Sequence, residues 1–304
     1  MPKIKYVHRR FKPESMDLIN KANAIIAEYV ADGFRLTLRQ LYYQFVRRMY
    51  ITNTMRSYQR LGGLINDARL AGLIDWSAIE DRTRHVSSVS HWSEPSEIVD
   101  ACAQSFRIDK WARQKYRPEV WIEKEALAGV IEGVCRDLDI PFLSCRGYTS
   151  QSEMWSSAMR FKSFCEDHDQ EPLILHLGDH DPSGIDMSRD IIKRLELFMG
   201  GMEIKRLALN MDQIEKYNPP PNPAKTTDSR FEDYQEKFGE ESWELDALEP
   251  RVLADLIRRA VRSVRDEKKW KEDVAEENRH RAILAKASVE WPRLAEMLES
   301  GESI

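Results

Sequence analysis

Between residues 118 and 209 four short apolar runs alternate with helix-length segments. The runs cover 120–122, 141–145, 173–177 and 204–209. Apolar residues recur at helical spacing over 126–138, from about 150 onward, and from Pro182 through Ile191 and Ile192 to Phe198. Ser150 and Glu153 stand at capping-box spacing, which marks the start of the middle helix. A βαβαβαβ order of this kind closes only as a mainly parallel sheet with helices on both faces. The fold class expected is therefore α/β, and such sheets bind ligands outside the carboxyl ends of their strands.

Acidic residues fall at those ends. The run 172–177, apolar apart from His176, leads into Gly178-Asp179-His180-Asp181-Pro182-Ser183-Gly184. Another strand, Glu119-Val-Trp-Ile, ends at Glu123. Glu123, Asp179 and Asp181 on neighbouring strand ends make a hard oxygen donor set suited to Mg²⁺, with Mn²⁺ as substitute. Metal ions in such sites neutralise phosphate charge and orient the scissile bond of a phosphodiester. The competing structural reading is that the acids cap the following helix, above all Asp181, which directly precedes Pro182. Glu125 is an alternative ligand at the start of a helix, and His180 reads as a turn residue. The sequence contains no GxxxxGK[ST], GxSxG or HExxH pattern.

The amino-terminal part has a different character. The whole chain of 304 residues carries a formal charge of −5, yet residues 1–92 hold 15 Lys and Arg against 8 Asp and Glu, a net of +7. The remainder thus carries −12. Such asymmetry is expected of a basic DNA-binding module joined to an acidic, metal-binding one. Apolar positions at Leu18, Ile19, Ala22, Ile25, Ile26 and Val30 predict a helix ending at Asp32-Gly33. Thr37 and Gln40 form a capping-box pair that opens a second helix, with an apolar stripe at Leu38, Leu41, Tyr42, Phe45, Val46 and Met49. A third helix runs from about Tyr58 to Leu70, and 73–76 predicts a short strand or wing. Three helices and a wing read as a winged helix-turn-helix over 1–92. Arg56, Arg60 and Arg69 on or beside the third helix are expected to meet DNA phosphates.

Within the second helix Tyr43 lies off the apolar stripe. It shares a face with Arg39 and Arg47 at spacing i, i±4. Flanking guanidinium groups favour the phenolate and lower a pKa that is ordinarily about 10. A phosphate-directed nucleophile is one reading, and a surface tyrosine stacked on arginines is the other. The spacing leaves both open. A serine-rich connector over 93–117, including Ser93 and Ser96 after Ser87, Ser88 and Ser90, separates this module from residues 118–304. A proline-rich loop at 217–230 and a charged helical tail from Leu248 complete the chain. Cys102, Cys135, Cys145 and Cys165 show neither CxxC nor zinc spacing, as expected of inert thiols in a reduced, cytoplasmic protein, and no segment is apolar enough to span a bilayer.

Taken together, Ile122-Glu-Lys-Glu125, Asp179-His-Asp-Pro-Ser-Gly184 and Arg39-Gln-Leu-Tyr-Tyr43 resemble the topoisomerase VI A subunit and its relative, the meiotic double-strand-break protein. The first two match the Toprim domain of that family and the third its CAP-like winged-helix motif, in the right order over residues 10–210. Arg146-Gly147-Tyr148 resembles a further Toprim turn, although its continuation departs from the usual sequence. The resemblance implies a type IIB topoisomerase A-subunit-like enzyme that cleaves double-stranded DNA with Tyr43 as nucleophile, Arg39 as its partner, and Glu123, Asp179 and Asp181 as metal ligands. It also implies a homodimer in which the tyrosine of one copy meets the metal of the other. Strand passage would require a separate ATPase subunit. Two alternatives stand beside it: a Toprim nuclease that cuts with water, and a non-catalytic DNA-binding regulator.

Overall fold

A computed structural model describes residues 3–79 and 89–300. Ser87 and Ser88, read as leading into the expected connector, lie outside the described residues. The amino-terminal module is built on α1 (Pro13–Ala31), α2 (Leu38–Arg47) and α3 (Met55–Leu70). Each helix begins where its local chemistry dictates. Lys12 precedes a proline at the first turn of α1, Thr37 and Gln40 form the expected capping box of α2, and the Thr54 hydroxyl accepts from Ser57 N–H to start α3. The three helices bury Ile19, Ile25, Leu41, Phe45, Leu61 and Ile65 in one cluster.

The expected wing is not a strand. Residues 73–76 form turns, and among the described residues the pairings nearby are isolated bridges, Lys5 with Ala71 and Leu36 with Ile79. Trp76 stacks edge-on against Tyr6 and donates to the carbonyl of Ile4, so this corner is held by side chains rather than by a ladder.

A connector helix, α4 (Pro95–Ser105), leads to the α/β module. There β1 (Tyr116–Ile122), α5 (Ala128–Asp137), β2 (Phe142–Ser144), α6 (Gln151–His168), β3 (Glu171–Leu177), α7 (Pro182–Met199) and β4 (Glu203–Ala208) follow in the predicted order. The sheet is parallel with order β2-β1-β3-β4. Side chains alternate across it with the two-residue period of a strand. Val120, Ile122, Leu173, Leu175 and Leu177 face a core shared with α5 and with α10 (Pro250–Val264). Trp121 and Ile174 face the opposite core, built with α6 and α7. The chain leaves β1 toward β2 and then returns past β1 to β3. The order therefore reverses between β1 and β3, which is where such sheets leave a crevice for ligands.

Beyond β4 come α8 (Met211–Tyr217), a two-stranded hairpin of β5 (Asn222–Pro223) and β6 (Glu241–Ser242) enclosing α9 (Phe231–Phe238), and the tail helices α11 (Glu267–Val289) and α12 (Trp291–Ser300). The stretch expected to be only a loop thus carries the β5 strand. The connector helix α4 packs on α11, where Ser288 Oγ donates to the carbonyl of Ser96. A short helical turn, Leu245–Ala247, joins the modules: Leu245 sits in the sheet core, while Ala247 sits in the cluster of the amino-terminal helices. Among the described residues no helix is long and apolar enough to cross a membrane.

Candidate active site

Glu123 and Asp179 stand at the ends of the adjacent strands β1 and β3. The strand ladder continues through Glu123 N–H, which donates to the carbonyl of Leu177 at 2.9 Å. In turn Glu123 Oε2 accepts the Asp179 N–H at 2.8 Å. Asp179 Oδ1 accepts from Leu245 N–H at 2.8 Å, and its Oδ2 pairs with Lys124 Nζ at 2.8 Å. Both acids are nearly buried. Burial, reinforced by the charge of Asp179, pushes the Glu123 carboxyl up to about 7. Burial likewise raises Asp179 to about 6, against the opposing ammonium of Lys124.

Asp181 turns to the task that its place before Pro182 allows. Its Oδ1 accepts Gly184 N–H at 2.6 Å and Ser183 Oγ at 2.9 Å, so it is the N-cap of α7. It nevertheless lines the same cavity as Asp179. The turn is tight. A Cβ on Gly184 would stand 2.2 Å from the Asp179 carbonyl oxygen, so only glycine fits.

Beneath the turn lies Arg206 of β4, which is not among the residues the sequence singles out. Its guanidinium donates to the carbonyls of Asp179 at 2.6 Å and Gly184 at 3.0 Å and to Ser188 Oγ at 2.6 Å. This largely buried cation fixes the loop between the two aspartates and adds positive charge below the acids. Its one sequence signal is an arginine inside the apolar run 204–209. His180 is not the simple turn residue expected: its backbone forms an antiparallel bridge with Trp243, its Nδ1 bonds the Tyr234 hydroxyl at 2.8 Å, and burial pushes its pKa down to about 4, leaving it neutral. Glu125 pairs instead with Arg146.

The tyrosine face departs from the expectation. Tyr43 is only 4% exposed, not a surface residue. Arg39 does stand by it, with its guanidinium 5.9 Å from the ring centre, but Arg47 pairs with Glu249. The Tyr43 hydroxyl bonds Asn222, and burial together with the charge of Glu244 pushes its pKa up to about 12, outweighing Arg39. The expected phenolate-favouring environment is therefore absent. Tyr42 is on the apolar stripe as read, yet its hydroxyl is used: it donates to Asn53 Oδ1 at 2.9 Å and reaches the Thr54 carbonyl at 3.2 Å. Asn53 Nδ2 reaches across to Asn222 Oδ1 at 2.7 Å and fastens the β5 strand over the tyrosines.

Arg39 is held by two acids from the segment around the joining turn. It bonds Glu244, and its Nε lies 2.8 Å from Asp246 Oδ2. Lys124 Nζ reaches the same Glu244 carboxylate at 2.9 Å. Nothing local in the sequence marks Glu244 or Asp246, since Glu244 lies 205 residues from Arg39 and 120 from Lys124. Arg39, Tyr42, Tyr43, Asp179, Asp181, Asn222 and Glu244 line one cavity of about 250 Å³ between the modules.

Of the arginines expected to contact DNA, Arg56 and Arg60 are exposed on α3. Arg69 is not available in the same way. It donates to the carbonyls of Trp76 at 2.6 Å and Ile79 at 3.3 Å and stacks on the Trp76 ring, so it braces the 76–79 turn.

The acids offer hard oxygen donors of the kind a divalent cation takes. In the present arrangement one oxygen of Glu123 and one of Asp181 are engaged by backbone N–H groups, and Lys124 supplies the positive charge beside Asp179. Among the described residues no three acids, histidines or cysteines are grouped closely enough to hold an ion. The donor chemistry is that of a hard metal site, while at Asp179 Oδ2 the ammonium of Lys124 stands where a cation would. No family model and no curated protein sequence matches the chain.

Proposed function

We propose that this chain cleaves double-stranded DNA in a metal-dependent transesterification, with Tyr43 as nucleophile. The observation that carries the reading is the single cavity in which Tyr43 and Arg39 of α2 meet Asp179 and Asp181 of the β3–α7 turn. These are the residues on which the resemblance to the topoisomerase VI A subunit rests. A nucleophile, a guanidinium for phosphate and clustered carboxylates are the components phosphodiester cleavage needs.

Glu123, Asp179 and Asp181 would hold Mg²⁺ or Mn²⁺, which when bound supplies neutralising charge to the phosphate. The rest of the chemistry belongs to the chain. The phenolic oxygen of Tyr43 forms the bond to phosphorus, and the bond to the 3′ oxygen breaks. The proton lost by the phenol balances the one taken up by the departing 3′ oxygen. The product keeps the 5′ phosphate on Tyr43, and the reverse attack reseals the strand. Arg39 faces the phosphate through its planar fork. Arg56 and Arg60, exposed on α3, extend the positive surface along the backbone, where contacts are salt-dependent and blind to sequence, and Arg47 would join them only on leaving Glu249. With Tyr43 covered by β5, the closed form is a resting state, and cleavage requires Asn222 to release the hydroxyl.

The resemblance adds a homodimer in which Tyr43 would act at the acids of a second copy rather than at those lining its own cavity, a cytoplasmic, DNA-associated location, and a separate ATPase subunit if strands are passed. One observation favours a second reading, a Toprim nuclease that uses water: Tyr43 is buried and its hydroxyl proton is held well above the ordinary range. The test is incubation of supercoiled DNA with protein and Mg²⁺, comparing products with and without protease digestion. Protein-linked 5′ ends support transesterification, free 5′ phosphates support the nuclease, and DNA binding without any cut supports a non-catalytic regulator.

A further inference from the structure

Arg39 and Lys124 come from different modules and converge on one carboxylate. Glu244 Oε2 accepts from Arg39 Nη2 and from Lys124 Nζ, the latter at 2.9 Å. Asp246 backs the arginine from behind, with its side chain 1% exposed and its Oδ2 2.8 Å from Arg39 Nε. The Arg39 side chain keeps 43% of its surface exposed, so the fork presents an edge to solvent. Glu244 itself lines the cavity beside Tyr43.

We propose that Arg39 and Lys124 form an oxyanion seat for a backbone phosphate, that Lys124 is its second cationic contact, and that Glu244 is a built-in occupant which the phosphate must displace. The inference rests on the proposed function, because Arg39 and Glu244 line the same cavity, and Lys124 stands behind Glu244 where that side chain's departure would open a way to it. Its chemistry follows from the geometry. Two cations of unlike shape, a planar fork and a compact ammonium, share one singly charged carboxylate of few acceptor sites. Both donors fall on the same oxygen, Glu244 Oε2, whereas the two non-bridging oxygens of a backbone phosphodiester, set at tetrahedral spacing, can serve the fork and the ammonium separately. Asp246 remains behind as a positioning residue, keeping Arg39 aimed after Glu244 leaves. Departure of Glu244 also removes an anion from the neighbourhood of the Tyr43 hydroxyl, so occupancy of the seat prepares the nucleophile. Lys124 is moreover bound to Asp179 at 2.8 Å, and a phosphate that draws Lys124 toward itself frees an oxygen of that acid.

The test uses the full chain in EDTA, so that no cutting intervenes, with two probes: a short mixed-sequence DNA duplex, followed by fluorescence anisotropy, and inorganic pyrophosphate, followed by calorimetry. Glu244→Gln removes the competing charge and keeps the shape. Glu240→Gln removes an exposed acid four residues away and controls for general charge. Glu244→Gln is expected to tighten both probes about fivefold or more, while Glu240→Gln changes them by less than about twofold. Adding Lys124→Gln to Glu244→Gln should abolish the gain; if that double variant does not fold by thermal melt, Lys124→Arg in the same background should retain it. Indistinguishable affinities of the Glu244→Gln and Glu240→Gln proteins, or a gain that survives Lys124→Gln, would overturn the seat. Pyrophosphate binding gained by Glu244→Gln with no duplex binding by any form would leave the seat standing and remove the DNA reading. Duplex binding indifferent to Glu244→Gln would do the reverse.

Discussion

The backbone N–H of Asp179 donates to Glu123 Oε2 across 2.8 Å, tying the end of β3 to the end of β1 at the point where the strand order reverses. That bond brings two buried carboxyl groups together and so fixes the electrostatics of the cavity. It also gives the first expectation. Burial and Asp179 raise Glu123 from its ordinary 4.5 to about 7. A carboxyl whose pKa is raised by folding favours the folded state at low pH and loses that contribution as the pH climbs through the raised value. Glu123→Gln keeps an oxygen acceptor for Asp179 N–H but carries no charge. In EDTA it should be more stable than the parent at pH 8, by about 3 kcal/mol, with the difference nearly gone by pH 4.5. Thermal melts at the two pH values check this, and a pH-independent difference would contradict it.

Asp181 has two roles to separate. Asp181→Ala removes the N-cap of α7 and should cost about 1 kcal/mol of stability. Asp181→Asn keeps the cap, because asparagine caps as well as aspartate. If Asp181 holds metal, both variants lose cleavage while only the alanine loses stability. Wild-type cutting by Asp181→Asn would confine Asp181 to capping. Glu123→Ala and Asp179→Ala should abolish cleavage and spare duplex binding, which the basic face of the helices supplies.

Much of this site is legible in the sequence where its causes are local. The acids at 123 and 179 follow apolar runs that must be buried strands, and the capping box at Thr37 and the Ser150 hydroxyl cap on Glu153 N–H are set by residues three apart. The environment of Tyr43 is not local. Its position relative to Arg39 is dictated by one helix, but what covers it is Asn222, and what charges its surroundings is Glu244, both brought in by tertiary packing. For the same reason helical spacing points Arg47 at Tyr43 although Glu249 claims it, and marks Arg69 as a phosphate contact although the carbonyls of 76 and 79 claim it. No strand forms at 73–76 because its backbone finds partners elsewhere: Leu73 N–H donates to the carbonyl of Ala68, the Leu73 carbonyl accepts from Asn23 Nδ2, and the Trp76 carbonyl accepts from Arg69.

Tyr42 gives a control for its neighbour. Tyr42→Phe loses the hydroxyl bonds to Asn53 and to the Thr54 carbonyl and should cost about 1 kcal/mol. It keeps the ring in the apolar cluster, and cleavage should persist. Loss of all cleavage in a folded Tyr42→Phe protein would move the nucleophile assignment to Tyr42.

Assembly is tested by mixing. Tyr43→Phe and Asp179→Ala should each be inactive. If the tyrosine of one copy acts at the acids of another, heterodimers of the two contain one intact composite site and regain part of the activity. In the closed chain, however, Tyr43 and Asp179 line one cavity, so a site completed within a single chain regains nothing on mixing. Cleavage restored in verified heterodimers supports sharing between copies, and its absence assigns the site to one chain.

The central claim turns on the phenolic oxygen of Tyr43. Tyr43→Phe deletes that atom and the bond to Asn222 while keeping the buried ring, so the variant should fold. Supercoiled DNA incubated with the parent protein and Mg²⁺, then denatured, should yield 5′ ends bearing covalently attached protein that protease digestion trims. With Tyr43→Phe the adduct and the cleavage should both disappear. Cutting by Tyr43→Phe at the parent rate, with free 5′ phosphates, would contradict the account and assign the reaction to water.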